Sequence, residues 1–421
     1  MLRRLATKIV RGGAIEDRHP IPCSKRKRQP SPLVRVANIA QMPNDPAGVS
    51  GADQGSLVVT TSRVSSATTD SRKFSAHGIP ASVVARRHPD NRTAWVIVML
   101  ARFEPGGTPP LGLVRERLSS AVTTSPLIGA RLRNGWWMPE WGADVRLTDG
   151  GDPLAQAPLQ PFILDQEPPL RVVMPTTRDW LLICAHHFAF DGLSMLSLLR
   201  ALLTGEEAVA PDFARVSSPR RPPAEEIRRF FRPADRVAPS ARVPLRESFA
   251  ARQVQLPQKG VTAALARACA AAAVAHNAGR GQRLARIGLS IAVGGVDGEA
   301  ATYRRLDLTP KEDIEAAVSH SLSDPRVPRE LVGLPRGAFL LRPALRRLSD
   351  TLLVSNLGRV DLPGTTSVEF YPVARGRSAV AFGAAGLRDQ PTTLTLRTLN
   401  LTSRDTTTLL ERVVGELAPR Q

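Results

Sequence analysis

Residues 183 to 195 read ICAHHFAFDGLSM: an apolar run ends in two adjacent histidines, His186 and His187, followed after three intervening residues by Asp191 and Gly192. The chain has only seven histidines in 421 residues, so the pairing invites a chemical explanation. An imidazole titrates near neutrality and can take a proton from an attacking hydroxyl or amine. Two neighbouring imidazoles also suggest a metal. Successive side chains of a strand point to opposite faces, however, so a regular strand sends His186 one way and His187 the other. A metal would need both on one face, and no Cys or Glu partner stands at ligand spacing, so no metal is expected. What remains is one histidine facing the core and one facing a cleft as a general base. Gly192 leaves room beside it, and Asp191 could orient a neighbour or lock the turn in a buried ion pair.

The elements that must hold these residues can be traced outward from the motif. QEPPLRVVMPTTRDWLLICAHH reads as two strands joined by the turn PTTRD, and GLSMLSLLRALLTG as a helix with Leu196, Leu199 and Leu203 inside and Gly205 as its stop. Upstream, TAWVIVMLARFE is a β-rich apolar run closed by EPGGTPP. LGLVRERLSSAV has helical spacing. Leu127, Ile128 and Leu132 read as a strand entering a hairpin turn at Asn134-Gly135. The tryptophans at 136, 137 and 141 fit a half-buried hairpin better than a base-stacking platform. Downstream come an Ala-rich helix (VTAALARACAAAAVAHNAG), strands in ARIGLSIAVGG and ATYRRLDLTP, the helix KEDIEAAVSHSL, and strands in TLLVSNLGRVDLPG, SVEFYPVA, SAVAFGAAG and PTTLTLRTLNLT. TTTLLERVVGELA closes the chain as a helix.

This pattern predicts an α/β protein of two lobes with similar make-up. Residues 1–80 read as a disordered basic extension, 81–205 as an N-terminal lobe carrying the motif, 206–258 as a Pro/Arg-rich linker, and 259–421 as a C-terminal lobe. MLRRLATKIVRGG resembles an Arg-rich transit segment, though sequence upstream of the true start is the favoured reading.

The formal net charge is +19, of which residues 1–80 contribute +8 (13 Lys+Arg against 5 Asp+Glu). A protein this basic usually meets nucleic acid, an anionic membrane, an acidic protein or a phosphorylated ligand. The run SKRKRQPSP is read as a solvated tail rather than a nucleic-acid site. Three scattered cysteines, Cys23, Cys184 and Cys269, form neither a disulfide framework nor a metal site, and a reducing cytoplasm is the expected location. No apolar stretch reaches the length of a membrane span.

His186-His187-x-x-x-Asp191-Gly192 resembles the HHxxxDG motif of the CoA-dependent acyltransferase superfamily. That group includes chloramphenicol acetyltransferase, the condensation domains of nonribosomal peptide synthetases, and polyketide-associated and wax-ester acyltransferases. A chance match of four fixed positions in a chain this long is on the order of a few in ten thousand. Pro169-Leu170-Arg171, the helix Leu113–Val122 followed by Pro126-Leu127-Ile128, and Ser355-Asn356-Leu357-Gly358 resemble further family features, so the resemblance covers roughly residues 85 to 421.

The resemblance implies two chloramphenicol acetyltransferase-like lobes, mixed sheets flanked by helices, forming a pseudo-dimer with an active-site tunnel between them. It implies His187 as general base, His186 as structural, and a salt bridge between Arg171 and Asp191. Ser355 and Asn356 become candidates for the oxyanion or tunnel, with an ordinary turn as the equal alternative. No bound cofactor is implied. The donor is an acyl-CoA or a phosphopantetheine thioester on an acidic acyl carrier protein, and the acceptor is a small alcohol or amine. The expected protein is a monomer in lipid or secondary metabolism, with weak membrane-surface association and no specific nucleic acid. The competing readings are a degenerate, non-catalytic binding protein on the same fold and, third, a basic nucleic-acid-binding protein. The absence of a DFGWG motif and the stretch IAVGGVDGEA depart from the family pattern.

Overall fold

The structure is a computed structural model that describes residues 79–80, 95–134, 136–139, 142–187, 189–208, 223–240, 246–257, 259–294, 301–324, 347, 349–374 and 379–418. The N-terminal extension up to residue 78, with Cys23 and the SKRKRQPSP run, lies outside them, as do Trp141 and most of the stretch IAVGGVDGEA from residue 295 on. By its contacts the chain divides between residues 70 and 71, and every described residue belongs to the second unit.

The strands, in chain order, are β1 (Ile79–Pro80), β2 (Val96–Phe103), β3 (Ala130–Arg133), β4 (Trp136–Pro139), β5 (Val145–Thr148), β6 (Leu170–Pro175), β7 (Trp180–His186), β8 (Ser248–Val254), β9 (Ile287–Val293), β10 (Thr302–Leu308), β11 (Leu352–Val360), β12 (Thr365–Tyr371), β13 (Val380–Leu387) and β14 (Thr392–Thr398). The helices are α1 (Leu111–Thr124), α2 (Gly192–Thr204), α3 (Pro223–Phe231), α4 (Val261–Ala278), α5 (Ile314–Ser323) and α6 (Ser403–Leu417). Among the described residues the strands form three mixed or antiparallel sheets, ordered β1-β4-β3, β12-β2-β7-β6-β5 and β10-β9-β11-β13-β14-β8.

β2 and β7 are continuous apolar runs because they lie at the centre of the five-stranded sheet with both faces covered. The PTTRD turn joins β6 and β7 as expected, with Leu170 opposite Ala185 and Arg171 opposite Cys184. α1 buries Val114, Leu118, Ala121 and Val122, one stripe at helical spacing. α4 buries a run of alanines that lets it lie close on the six-stranded sheet, and α6 packs beside it. Trp136 is exposed and Trp137 buried, so the hairpin is half-buried.

Four readings from sequence are corrected. Pro126–Gly129 is a 3-10 turn, and the strand begins only at Ala130, because Pro126 favours the turn and cannot donate to a ladder. α2 buries Leu199 and Leu203 as expected, together with Met195, Leu198 and Leu202, but leaves Leu196 only half-buried. The stretch 206–258 is not all linker, since it contains α3 and the edge strand β8, which pairs with β14. Finally, the two lobes are not two consecutive stretches of chain. β12, from the C-terminal half, pairs antiparallel with β2 of the N-terminal sheet.

β12 is held to both sheets. A Cβ on Gly383 of β13 would fall 1.9 Å from the Phe370 carbonyl oxygen, so only glycine permits this approach. Thr395 of β14 donates its hydroxyl to the same carbonyl. A second tie is the fully buried Arg397 of β14, which pairs with Glu247 at 2.5 Å and donates to the Val96 carbonyl of β2.

Candidate active site at the junction of the two sheets

β7 ends at His186, and the chain turns immediately. His187 N–H donates to Trp95 O at 2.7 Å, extending the β2–β7 ladder by one bond, while Ala189 N–H donates back to His186 O at 3.0 Å. This separates the two histidines. His186 is fully buried, its ring edge-on to Phe162 at 6.0 Å. His187 lines a small cavity of about 40 Å3 shared by both halves of the chain, together with Ile97, Asp191, Tyr303, Ser355 and Phe370.

Both ring nitrogens of His187 have partners. Nδ1 lies 2.7 Å from the Phe190 carbonyl oxygen, and Nε2 lies 3.2 Å from the Tyr303 hydroxyl on β10. A carbonyl can only accept, so Nδ1 carries the proton of the neutral ring and Nε2 presents its lone pair to the cavity. Burial first, and the nearby Asp191 charge second, push the Tyr303 phenol well above its ordinary value. It is therefore a neutral O–H donor toward Nε2.

Tyr303 was not picked out from sequence. The one available signal was rarity, since the chain has only two tyrosines. Trp95, with its ring 6.1 Å from that of His187, was likewise not singled out.

Asp191 is 2% exposed and divides its two oxygens. Oδ1 accepts from Ser194 N–H at 2.8 Å, and Asp191 N–H donates to Ser194 Oγ at 2.8 Å, forming a capping box at the start of α2. Oδ2 accepts from Ala301 N–H at 2.7 Å, at the threshold of β10 in the other half. The expected salt bridge between Arg171 and Asp191 is not formed. Arg171 pairs instead with Glu167 at 2.7 Å and 3.0 Å, donates to the carbonyls of Gln160 and Pro161 at 2.8 Å each, and stacks on Phe162. Strand parity is the reason. Arg171 opposes Cys184 and points to the His186 side of the sheet, whereas the cavity side is that of Ile97, which opposes Ala185.

Gly192 lines the cavity, and its missing side chain makes room for Leu357 and Phe370. A Cβ there would meet Leu357 Cδ2 at 2.8 Å and Phe370 Cζ at 2.9 Å. Ser355 is buried in β11 and lines the cavity. Asn356 also lines it, but its side chain is committed locally. Nδ2 donates to Thr262 Oγ1 at 3.1 Å, and Oδ1 accepts from Gly358 N–H at 2.9 Å, with Gly358 at a φ of +76°. Asn356 stands within β11 rather than in a turn, where the register against β13 shifts between Asn356 and Arg359. Among the described residues no cluster of three or more His, Cys, Asp or Glu side chains has metal-binding geometry, and no helix is long and apolar enough to cross a membrane.

Two sheets joined at such a cavity are also the two-lobed fold of condensation domains. Solved structures similar to this chain include condensation domains of peptide and polyketide synthetases. The first condensation domain of the calcium-dependent antibiotic synthetase, in complex with a substrate analogue, is 18% identical, with a TM-score of 0.53 over 81% of this chain and 96% of that one. A mutant starter condensation domain of the rhizomide synthetase RzmA, in complex with C8-CoA, is 14% identical, with a TM-score of 0.52 over 80% and 93%. The condensation domain of the monacolin K polyketide synthase MokA is 10% identical, with a TM-score of 0.50 over 81% and 96%. At these identities the likeness is one of fold. No protein-family model matches the chain, and no curated protein matches its sequence.

Proposed function

We propose that this protein is an acyltransferase that moves an acyl group from a CoA or carrier-protein thioester to a hydroxyl or amine acceptor, with His187 as the general base. The observation that carries the reading is the fixed tautomer of His187. Its Nδ1–H is held by the Phe190 carbonyl, so its Nε2 lone pair faces the cavity between the halves. In the reaction the acceptor O–H or N–H takes the position on Nε2 now held by the Tyr303 hydroxyl. Nε2 accepts the proton as the acceptor attacks the thioester carbonyl. When the tetrahedral adduct collapses, the C–S bond breaks and the leaving sulfur takes that proton back. Ser355 Oγ is the candidate donor to the intermediate oxyanion. The fold shared with condensation domains, one of them in complex with C8-CoA, supports a thioester donor and a role in secondary metabolism.

A cavity of about 40 Å3 favours a second reading, a closed, non-catalytic binding protein on the same fold. Ligand pockets for small molecules span roughly 300–1,000 Å3, so turnover requires Leu357, Phe370 and Leu193 to withdraw. One experiment separates the two readings. A panel of acyl-CoA and acyl-carrier thioesters is incubated with pooled alcohols and amines, and free thiol is followed for wild type and His187→Ala. Turnover that His187→Ala lowers on the order of a hundredfold or more supports the acyltransferase. Equal rates in both proteins overturn the general base, and no thiol release from any thioester favours the binding protein.

A further inference from the structure

Helix α3 shows water the wrong side chains. At 3.6 residues per turn, Ile227, Phe231, Arg228 and Arg232 follow one another around an arc of about 140°. All four are exposed, Phe231 at 70% and Ile227 at 46%. Arg232 belongs to the same surface, because its N–H donates to the Arg228 carbonyl at 2.8 Å and continues the helical turn. The inner side holds Phe230, half-buried, and Arg229, which is 2% exposed. Arg229 pairs there with Glu225 at 3.2 Å and with Asp307 of β10 at 2.6 Å. An ordinary surface helix buries its apolar stripe and shows its charges. Here the buried arginine fixes the helix with two large apolar side chains pointing outward.

The charge beside that apolar pair is uncompensated. Arg228, Arg232 and Arg286 line a concavity of about 290 Å3 whose only carboxylate is Asp307. That carboxylate is taken by Arg229 and, at 3.4 Å, by Arg305. Arg228, Arg232 and Arg286 are exposed and have no carboxylate partner among the described residues. A partner for this face accepts two apolar side chains and three guanidinium groups together. A nucleic-acid backbone would engage the arginines and leave the aliphatic Ile227 in water. A folded acidic protein would have to supply a pocket shaped for Phe231, whereas a bilayer needs no complementary shape. An anionic bilayer takes both kinds of group. Apolar side chains enter the boundary between headgroups and acyl chains, and arginines on flexible stems keep their heads at the level of the phosphates.

We propose that α3, with Arg286, is a docking surface for an anionic lipid bilayer. Ile227 and Phe231 insert, and Arg228, Arg232 and Arg286 hold the lipid phosphates. This surface is separate from the candidate active site. Ile287 and Leu308, paired at one end of the β9–β10 hairpin, line the arginine concavity, while Ala292 and Tyr303, paired five residues along, line the His187 cavity. Docking therefore requires no acyl transfer, and His187→Ala should bind vesicles as wild type does.

The full chain is sedimented with vesicles of phosphatidylcholine alone and of phosphatidylcholine with phosphatidylglycerol, about two to one. The proteins compared are wild type, Ile227→Gln/Phe231→Gln, Arg228→Gln/Arg232→Gln and a charge-matched control, Arg404→Gln/Arg412→Gln. The control arginines are exposed on α6, which packs on β8 and β14 at the other edge of the six-stranded sheet from β10. Glutamine suits a helix and all six positions are exposed, so far-UV circular dichroism should be unchanged. Wild type should bind the anionic vesicles and not the neutral ones. Each arginine near a charged membrane contributes about fivefold, so the arginine variant should partition on the order of tenfold less or lower still. The apolar variant should also lose on the order of tenfold, and the control should stay within about twofold of wild type. Phe231→Trp gives a local reading that the basic N-terminal extension does not affect. Its added emission should shift to the blue on anionic vesicles and be quenched by brominated acyl chains. Equal binding by wild type and both α3 variants overturns the proposal, as does an unshifted Phe231→Trp. Equal loss in the α6 control would mean attraction to overall charge and would overturn it too. Loss in the arginine variant alone would point to a purely charged ligand such as nucleic acid, again against a bilayer. A wild-type dimer that the apolar variant turns into monomer would assign the face to a second copy of the chain instead.

Discussion

Replacing Asp191 separates two accounts of the motif aspartate. In the structure its carboxylate serves two backbone N–H groups, Ser194 at the start of α2 and Ala301 in the other half, each within 2.8 Å. Asp191→Ala removes the cap, worth about 1 kcal/mol. It also leaves a part-buried N–H at Ala301 without its acceptor, a loss of about 1–3 kcal/mol. The expected destabilisation is therefore about 3 kcal/mol. At a urea m-value of about 3 kcal/mol/M this lowers the unfolding midpoint by about 1 M. Asp191→Asn keeps one oxygen for Ser194 but turns an amide donor toward the Ala301 donor, so it should lose about half as much. A buried ion pair with arginine would behave differently. There Asn would be nearly as harmful as Ala, because each leaves a guanidinium without its counter-charge. Urea midpoints for wild type, Asp191→Ala and Asp191→Asn, followed by far-UV circular dichroism, decide the matter. Two variants equal to each other and both strongly destabilised would refute the capping account, and two variants within about 0.5 kcal/mol of wild type would refute any structural role.

Further outcomes follow from neighbouring residues. Arg171→Ala should destabilise by about 3 kcal/mol or more, and a double-mutant cycle should couple it to Glu167 and not to Asp191, read from the same urea midpoints. Gly192→Ala should cost about 1–3 kcal/mol, since its methyl would strike Leu357 and Phe370, and a variant as stable as wild type would show that the halves part easily there. Tyr303→Phe removes the hydroxyl that competes for Nε2, so the acceptor KM should fall about fivefold with kcat little changed; a hundredfold loss of kcat would instead put the hydroxyl in the chemistry. Burial pushes the Cys184 thiol up to about 12 and raises that of Cys269 well above its ordinary value of 9.0. In a Cys23→Ser background, neither should react with a thiol reagent at pH 8 until the protein unfolds. Because the folded state keeps these protons longer than the unfolded state, their contribution to stability is complete below pH 9 and is lost between about 9 and about 12, visible as a falling urea midpoint.

The elements nearest the motif were legible because the local pattern decides them. The continuous apolar runs of β2 and β7, the helix stop at Gly205 and the parity that separates His186 from His187 all depend on residues close in sequence. The partner of Arg171 was not legible. Its face depends on the register of β6 against β7, and a one-residue slip would have pointed it at the cavity. β8 was hidden because SFAARQV alternates weakly within a Pro/Arg-rich stretch, and it is a strand only because β14 offers it an edge. Tyr303 and the Asp191–Ala301 bond join residues more than a hundred positions apart, and no local pattern announces such a meeting. The strand β12 was visible as a strand, but its choice of β2 over the sheet of its own half was not.

That choice by β12 has a consequence for how the protein comes into being. As the chain is synthesised, the sheet that carries His187 stays one strand short until residue 371 has been made, with the edge of β2 open to any other strand. The N-terminal portion therefore cannot mature ahead of the C-terminal one, as independent domains do. A fragment ending near residue 205 should be a sticky, unfinished sheet rather than a small working lobe. Gene fusions or splits that treat the Pro/Arg-rich joint as a safe cutting point would sever β12 from its place in the first sheet.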